Sequence, residues 1–242
     1  IKVEELVTPV STTKIKESAF LGCTSLKSVI IHNGVTEIGR NAFCGCCNLI
    51  SVTMPDSITS IGEAAFIRCS ALACFYGKYS SGDNRFLIVN GRLIGCAPSG
   101  LTEVVIPNEV DSIGERAFYG CSNLKNIIIP PSVTEIGNNA FENCTSLTNI
   151  SIPPSVTKIG ESAFSGCTDL TDICIPPSVT EIGPNAFHNC SSLTSLIIPP
   201  SVTKIGNEVF TGCIHLEEIH IPCGFDTGNS TFADCSAQII NY

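Results

Sequence analysis

Apolar residues recur along the chain at a fixed step of 23 residues. One position of this step is phenylalanine eight times, and each phenylalanine is followed three residues later by cysteine and six residues later by leucine. A period of about 20 to 50 residues is typical of a solenoid, in which each repeat buries its apolar side chains against its neighbours. We therefore predict a single solenoid domain over residues 1–242. The phenylalanines are Phe20, Phe43, Phe66, Phe118, Phe141, Phe164, Phe187 and Phe210.

The repeat at residues 147–170 shows how one turn is built. Residues 147–153 alternate apolar and polar side chains and end in proline, which predicts a short strand with its leucine and isoleucines pointing inward. The β-branched run 156–160 predicts a second short strand, whose final glycine relaxes the following bend. Residues 162–167 are too few for an independent helix, so we expect one α-helical or 3₁₀ turn held by the packing of Phe164. Proline pairs between the two strands predict a stiff, extended corner.

Surface charge supports stacking of these turns in parallel and in register. The residue before Ile-Gly alternates in sign through four successive repeats. Opposite charges on neighbouring strands stabilise by a few tenths of a kcal/mol, whereas like charges repel. Chance alternation at a solvated position is the alternative explanation. The four residues are Glu135, Lys158, Glu181 and Lys204.

The repeat is interrupted once and is degenerate at both ends. An irregular coil at about residues 73–100 is six residues longer than the others and contains two apolar runs that flank Asn90-Gly91. This pattern predicts a β-hairpin, which should protrude or lie along one flank. The terminal coils, residues 1–19 and 222–242, are degenerate, and in the second of these Gln238 stands where leucine is expected.

The chain has fifteen cysteines, and nine of them share one repeat position. Stacked turns place equivalent Cα atoms about 4.8 Å apart. Equivalent side chains point the same way, so their Cβ atoms should lie farther apart than the ~3.8 Å typical of a disulfide. We interpret these nine as buried free thiols that pack as small apolar side chains. They are Cys23, Cys46, Cys69, Cys121, Cys144, Cys167, Cys190, Cys213 and Cys235.

Charge and hydropathy argue against several classes of partner. Thirteen lysines and arginines against 22 acidic residues give a formal net charge of −9, which disfavours nucleic acid and anionic membranes. No stretch approaches the roughly 20 apolar residues of a membrane span. Because Ile1 is not an initiator methionine, we expect a processed or excised fragment in which a signal or anchor is not visible.

Residues suited to catalysis or metal binding are few. The chain has no G-x-S-x-G, Walker or H-E-x-x-H motif and four histidines, so we expect neither enzyme activity nor a cofactor. Cys213-x-His215 and His220-x-x-Cys223 contain zinc-type ligands. However, Cys213 belongs to the inward cysteine position and His220 should point outward. We therefore expect no metal site.

The repeated pattern Ile-Pro-x-Ser-Val-Thr-x-Ile-Gly-x-x-Ala-Phe-x-x-Cys-x-x-Leu-x-x-Ile resembles the BspA-like, Treponema pallidum type leucine-rich repeat. The resemblance covers almost the whole chain and is strictest over residues 110–221. It implies a right-handed leucine-rich-repeat solenoid with parallel, β-rich α/β coils. It also implies a secreted or surface-attached protein of a host-associated microbe, with roles in adhesion and in binding host or bacterial proteins. The family pattern consists of scaffold residues, so it carries over no catalytic positions.

Leucine-rich repeats bind through the outward residues of their strands. If Ile150 and Ile152 point inward, Ser151 points outward, and apolar residues at the equivalent positions would indicate a contact surface. High β-propensity at these positions is an equally good explanation. We expect Val105 and Ile128 to be adjacent, with Tyr76 near. The predicted protein-binding face is Tyr76, Val105, Ile128, Ser151, Cys174, Ile197 and His220, and Ile30 and Thr53 occupy the same position in earlier repeats.

The favoured hypothesis is a non-enzymatic protein-interaction module outside the cell, which binds a host matrix or bacterial surface protein through this face. The alternative is a structural spacer with no ligand of its own. A third hypothesis is a glycan-binding module. The chain has no tryptophan, so Tyr76, Tyr79 and Tyr119 would have to serve as the stacking platforms.

Overall fold

The computed structural model describes residues 3–223, 231–232, 235 and 237–242. The chain divides into two compact units, the first formed by Ile1–Leu101 and Glu115–Ala117 and the second by Thr102–Gly114 and Phe118–Tyr242. Each unit is a parallel β-solenoid, and the chain has about ten turns at a spacing of about 23 residues. The single domain inferred from the repeat stays a prediction. Within the described residues, we find no helix whose length and hydropathy would allow it to span a membrane.

The first unit contains two parallel sheets and one hairpin. Its strands are β1 (Glu5–Val7), β2 (Lys14–Ile15), β3 (Ser28–Ile30), β4 (Glu37–Ile38), β5 (Ser51–Met54), β6 (Ser60–Ile61), β7 (Cys74–Gly77), β8 (Phe86–Val89) and β9 (Arg92–Cys96). The order in the first sheet is β1-β3-β5-β7 and in the second β2-β4-β6. Strands β8 and β9 are antiparallel.

The second unit repeats this arrangement with longer ladders. Its strands are β10 (Glu103–Val105), β11 (Ser112–Ile113), β12 (Asn126–Ile128), β13 (Glu135–Ile136), β14 (Asn149–Ser151), β15 (Lys158–Ile159), β16 (Asp172–Cys174), β17 (Glu181–Ile182), β18 (Ser195–Ile197), β19 (Lys204–Ile205), β20 (Glu218–Ile221) and β21 (Gln238–Asn241). The longer strands form β10-β12-β14-β16 and β18-β20-β21, and the two-residue strands pair in chain order from β11 to β19.

The expected register of the charged residues is confirmed. Glu135 pairs with Lys158, Lys158 with Glu181, and Glu181 with Lys204. The Lys158 ammonium lies 4.0 Å from a carboxylate oxygen of Glu135 and of Glu181. Because all three side chains are solvated, each pair contributes a few tenths of a kcal/mol at most. The alternation therefore helps to select the register more than it stabilises the fold.

The core consists of side chains that lie above their equivalents in the next turn. The Phe164 ring is fully buried. It stacks on Phe141 with 5.3 Å between ring centroids and on Phe187 with 5.5 Å. Cys167 and Leu170 from the same turn are also fully buried. A single turn could cover only one side of these groups, so stacking is what closes the core.

The chain makes successive turns within residues 162–167, and the expected helical turn is not confirmed. Ser162 and Gly166 are left-handed, with φ of 52° and 73°. The Ser165 N–H donates back to the Ser162 carbonyl at 3.1 Å, but the Phe164 N–H donates to Ala186 in the next turn at 2.8 Å. Alternate N–H groups thus bind the neighbouring turn. They are not available for the consecutive intrasegment bonds that a helix requires.

The glycine after the second strand allows close stacking, which corrects the expectation that it relaxes a bend. A Cβ added at Gly160 would lie 2.7 Å from the Gly137 carbonyl carbon and 2.7 Å from the Asn138 nitrogen. Real Cβ atoms do not approach backbone atoms this closely. The glycine is therefore needed because the preceding turn occupies the space of a side chain.

The proline pairs lie in hydrogen-bonded turns and not in the extended corner that we expected. The Pro153 carbonyl accepts a hydrogen bond from the Val156 N–H at 3.0 Å, which closes a four-residue turn. The Ser155 hydroxyl donates to the Val133 carbonyl of the preceding turn at 2.6 Å. The prolines still stiffen the corner, because a fixed φ suits the first central position of such a turn.

The predicted hairpin forms and does not protrude. Asn90 and Gly91 have φ of 51° and 80°, as a two-residue turn between antiparallel strands requires. Phe86, Leu87 and Leu93 are buried. The hairpin therefore covers part of the apolar core of its unit.

The last strand differs from the predicted repeat. Gln238 was expected to replace the core leucine, but it pairs with Glu218 at the start of the strand. Ile239 consequently takes the position of Ile219, and Ile240 that of His220. Residues 224–230, 233–234 and 236 of the predicted terminal coil lie outside the described residues.

Candidate functional site

In the second unit, the predicted outward residues of neighbouring strands lie side by side and form a column. We call the solvent-facing side of the longer strands the strand face. Val105 pairs with Ile128, which pairs with Ser151, which pairs with Cys174. Relative exposure is 64% for Val105 and 61% for Ile128. The strand alternation explains this exposure, since the residues on either side of Ile128 are buried. Two neighbouring strands therefore present aliphatic side chains to solvent at the same level.

The equivalent positions on the sheet β18-β20-β21 of this unit form a second column. Ile197, which is 59% exposed, pairs with His220. His220 pairs in turn with Ile240, a member that the repeat pattern missed because the last coil is shortened. The imidazole of His220 lies 3.6 Å from the Glu218 carboxylate.

The first unit has an outward column of its own. Val7, Ile30, Thr53 and Tyr76 pair in that order. Val7 is 62% exposed, Ile30 49% and Tyr76 45%. Val7 was not among the predicted outward residues, although it lies one 23-residue step before Ile30. The repeat pattern is too weak in the degenerate first coil to indicate this position.

Polar residues accompany the apolar column at the first position of each strand. The Asn126 amide donates to the Glu103 carboxylate at 3.0 Å. Together with Val104, these two residues line a shallow groove beside Val105 and Ile128. This groove combines an apolar floor with a carboxylate at its edge, which suits contact with a protein better than enclosure of a small molecule.

The family model for the BspA type leucine rich repeat region matches in six copies, over residues 1–80, 96–217 and 180–242. The chain belongs to the BspA-type leucine-rich repeat family. Leucine-rich repeat families are typically non-enzymatic scaffolds that mediate protein interactions. No curated protein matches the chain closely enough in sequence to count as a relative.

Solved structures of bacterial leucine-rich repeat proteins are similar to this chain. A leucine rich cell surface protein from Faecalibacterium prausnitzii is 27% identical, with a TM-score of 0.62 over 97% of this chain and 83% of that one. A leucine-rich repeat protein from Bacteroides ovatus is also 27% identical, with a TM-score of 0.53 over 96% and 76%. The pneumococcal vaccine antigen PcpA is 22% identical, with a TM-score of 0.68 over all of this chain and 57% of PcpA.

The candidate metal ligands of this BspA-type chain have separate surroundings. Cys213 is buried, and its thiol donates to the Phe187 carbonyl at 3.2 Å. Nδ1 of the exposed His215 is 2.7 Å from the Ser191 carbonyl. The described residues contain no group of three or more histidine, cysteine, aspartate or glutamate side chains arranged to hold a metal ion.

The repeated cysteine also donates a hydrogen bond, which its spacing in the sequence did not indicate. The Cys190 thiol donates to the Phe164 carbonyl of the preceding turn at 3.2 Å, and the N–H of Cys167 donates to the same carbonyl at 3.1 Å. Cysteine thus combines a small apolar volume with a weak donor that reaches a buried acceptor. The same thiol-to-carbonyl contact is made by Cys46, Cys69, Cys144, Cys167 and Cys213. Of the nine, Cys23 is exposed and Cys235 half-buried, which corrects the expectation of full burial for these two.

Alkylation should distinguish these thiols from the exposed ones. Burial raises the pKa of Cys167 to about 12 and that of Cys213 to about 12. Since the thiolate is the reactive form, native protein treated with iodoacetamide at pH 8 should be modified at Cys23, Cys174 and Cys223, which are exposed. Peptide mass spectrometry should find Cys167 and Cys213 modified only after denaturation. Rapid modification of Cys167 or Cys213 in the native protein would contradict the burial of the repeated cysteines.

Proposed function

We propose that this chain is a non-enzymatic, adhesin-like module outside the cell, which binds a host matrix or bacterial surface protein through its outward strand face. The observation that carries the proposal is the pairing of Val105 with Ile128, both more than half exposed. Neighbouring exposed aliphatic side chains on a rigid sheet suit burial against a protein, because the backbone loses little entropy on binding. The extracellular location is supported by the similarity to the F. prausnitzii cell surface protein.

The tyrosines support the glycan hypothesis poorly. The Tyr79 hydroxyl donates to the Ile58 carbonyl at 3.2 Å, and the Lys78 ammonium lies 5.0 Å from the centre of its ring. One ring face is therefore already covered. Tyr76 is 45% exposed on the strand face, where it suits a protein contact as well as a sugar.

Charge introduced at the centre of the face should abolish binding. We expect the double variant Val105→Asp, Ile128→Asp to lose at least tenfold in affinity, because two carboxylates would have to be desolvated where two aliphatic groups were buried. The measurement is capture of proteins from host matrix and bacterial surface extracts by the immobilised chain, followed by affinity measurement with each captured protein after purification.

The matched control is Val10→Asp, Ile214→Asp. These residues are exposed aliphatics outside the strand face, at 77% and 62% exposure, and the variant has the same net charge. A partner that is lost by the face variant and retained by the control supports the proposal. If every captured protein is retained by both folded variants, the face is inert and the chain is a structural spacer.

A further inference from the structure

The strand face of the second unit has an excess of negative charge. Among its described outward positions and the residue before each strand, aspartate and glutamate outnumber lysine and arginine four to one. All are exposed. No lysine or arginine of the described part of the chain forms an ion pair with these four carboxylates. The acidic residues are Glu103, Asp172, Glu217 and Glu218, and the basic residue is Lys125.

The other ladder of the same unit treats charge differently. There, Glu135, Lys158, Glu181 and Lys204 alternate in sign, so each residue pairs with a residue of opposite charge on the neighbouring strand. Opposite charges therefore alternate along the two-residue strands of this unit. The longer strands of the strand face have no such alternation. Uncompensated carboxylates on one surface raise the local negative potential, which a cationic partner would relieve on binding.

The apolar residues of this face occur in two groups with small side chains between them. Val105 and Ile128 form the first group. Ile197, three repeats after Ile128, and Ile240 form the second, and Ser151 and Cys174 stand between the groups. Ile128 lies in the sheet β10-β12-β14-β16 and Ile197 in the sheet β18-β20-β21 of the same solenoid. Three turns at a rise of about 4.8 Å each place the two residues about 14 Å apart. An extended chain covers this distance in about four residues, and residues four apart point to the same side.

We infer that this face binds an extended cationic segment of a partner protein. Aliphatic side chains four residues apart in that segment contact the two apolar groups of the face. Lysine or arginine residues between them lie opposite the carboxylates. The inference rests on the proposed function and specifies the chemistry of its partner. A second copy of the chain does not fit, because two acidic faces would repel each other.

The test uses synthetic peptides and fluorescence anisotropy at two salt concentrations. The probe is a nine-residue peptide with leucines four residues apart and the remaining positions lysine or serine. One companion has serine in place of each leucine, and the other has glutamate in place of each lysine. We expect both companions to bind at least tenfold more weakly, and raised salt to weaken the probe. Bound probe should slow alkylation of Cys174 and leave that of Cys23, in the other unit, unchanged.

Charge-reversal variants locate the binding. Glu103→Lys, Asp172→Lys should bind the probe at least tenfold more weakly than the wild-type chain. Glu161→Lys, Glu208→Lys makes the same change in net charge at exposed residues outside the strand face and should change affinity less than twofold. Equal losses in both variants, or equal affinity for the lysine and glutamate peptides, would overturn the inference. The proposed function is tested independently by the Val105→Asp, Ile128→Asp variant. Loss of the captured protein by that variant would support the proposed function even if the peptide experiment fails, and retention would contradict it.

Discussion

Replacing Phe164 with alanine is expected to destabilise the second unit by about 3–5 kcal/mol. The ring is fully buried and stacks on Phe141 and Phe187 with centroid distances of 5.3 and 5.5 Å. The variant loses the transfer free energy of the ring and both stacking contacts, and the neighbouring turns cannot collapse into the cavity because their backbones are hydrogen-bonded in register. Urea unfolding followed by circular dichroism measures the loss.

The position of the residue within the stack makes the effect larger. In a repeat protein each turn is stabilised by its two neighbours, so a defect in a central turn weakens two interfaces. Phe20 is the matched control, because it is half-buried and stacks on Phe43 at 5.1 Å. We expect Phe20→Ala to cost about half as much. Equal losses would show that stacking between turns is not what holds the core together.

The sequence predicted the features that depend on the repeat itself. Period, strand positions and register follow from residues that recur at 23-residue steps, and the hairpin followed from Asn90-Gly91 between apolar runs. The details that failed depend on contacts between turns. The glycine at 160 and the turns at 162–167 are set by the backbone of the neighbouring coils, which no local propensity reports.

The candidate site was predictable in part. Alternation along the strand placed Val105, Ile128 and Ile197 outward, as the structure has them. The scaffold places no demand on which side chain stands at an outward position, so the repeat pattern contains no information about the ligand. The unbalanced charge of the face became apparent only once the strands were in register, because Glu103 and Asp172 lie 69 residues apart in the chain.

Replacing Gly183, which follows β17, with alanine is expected to destabilise the second unit by about 3 kcal/mol, although alanine usually stabilises slightly where the glycine is not left-handed. The added Cβ would lie 2.5 Å from the Glu161 nitrogen and 2.6 Å from the Gly160 carbonyl carbon. These are backbone atoms of the preceding turn, so relief requires the two turns to separate. Separation would weaken the hydrogen bond from the Gly183 N–H to the Ile159 carbonyl, now 2.8 Å long.

Gly120→Ala separates this crowding from the intrinsic preference of glycine. Gly120 is left-handed, with φ of 70°, and an added Cβ there would meet no atom within 4 Å. Its substitution should cost about 1 kcal/mol through backbone strain alone. Hydrogen exchange measured by mass spectrometry should show faster exchange on both sides of residue 183 in the Gly183→Ala variant and little change in Gly120→Ala. If the two variants were equally stable, backbone conformation rather than the close approach of stacked turns would explain the repeated glycine.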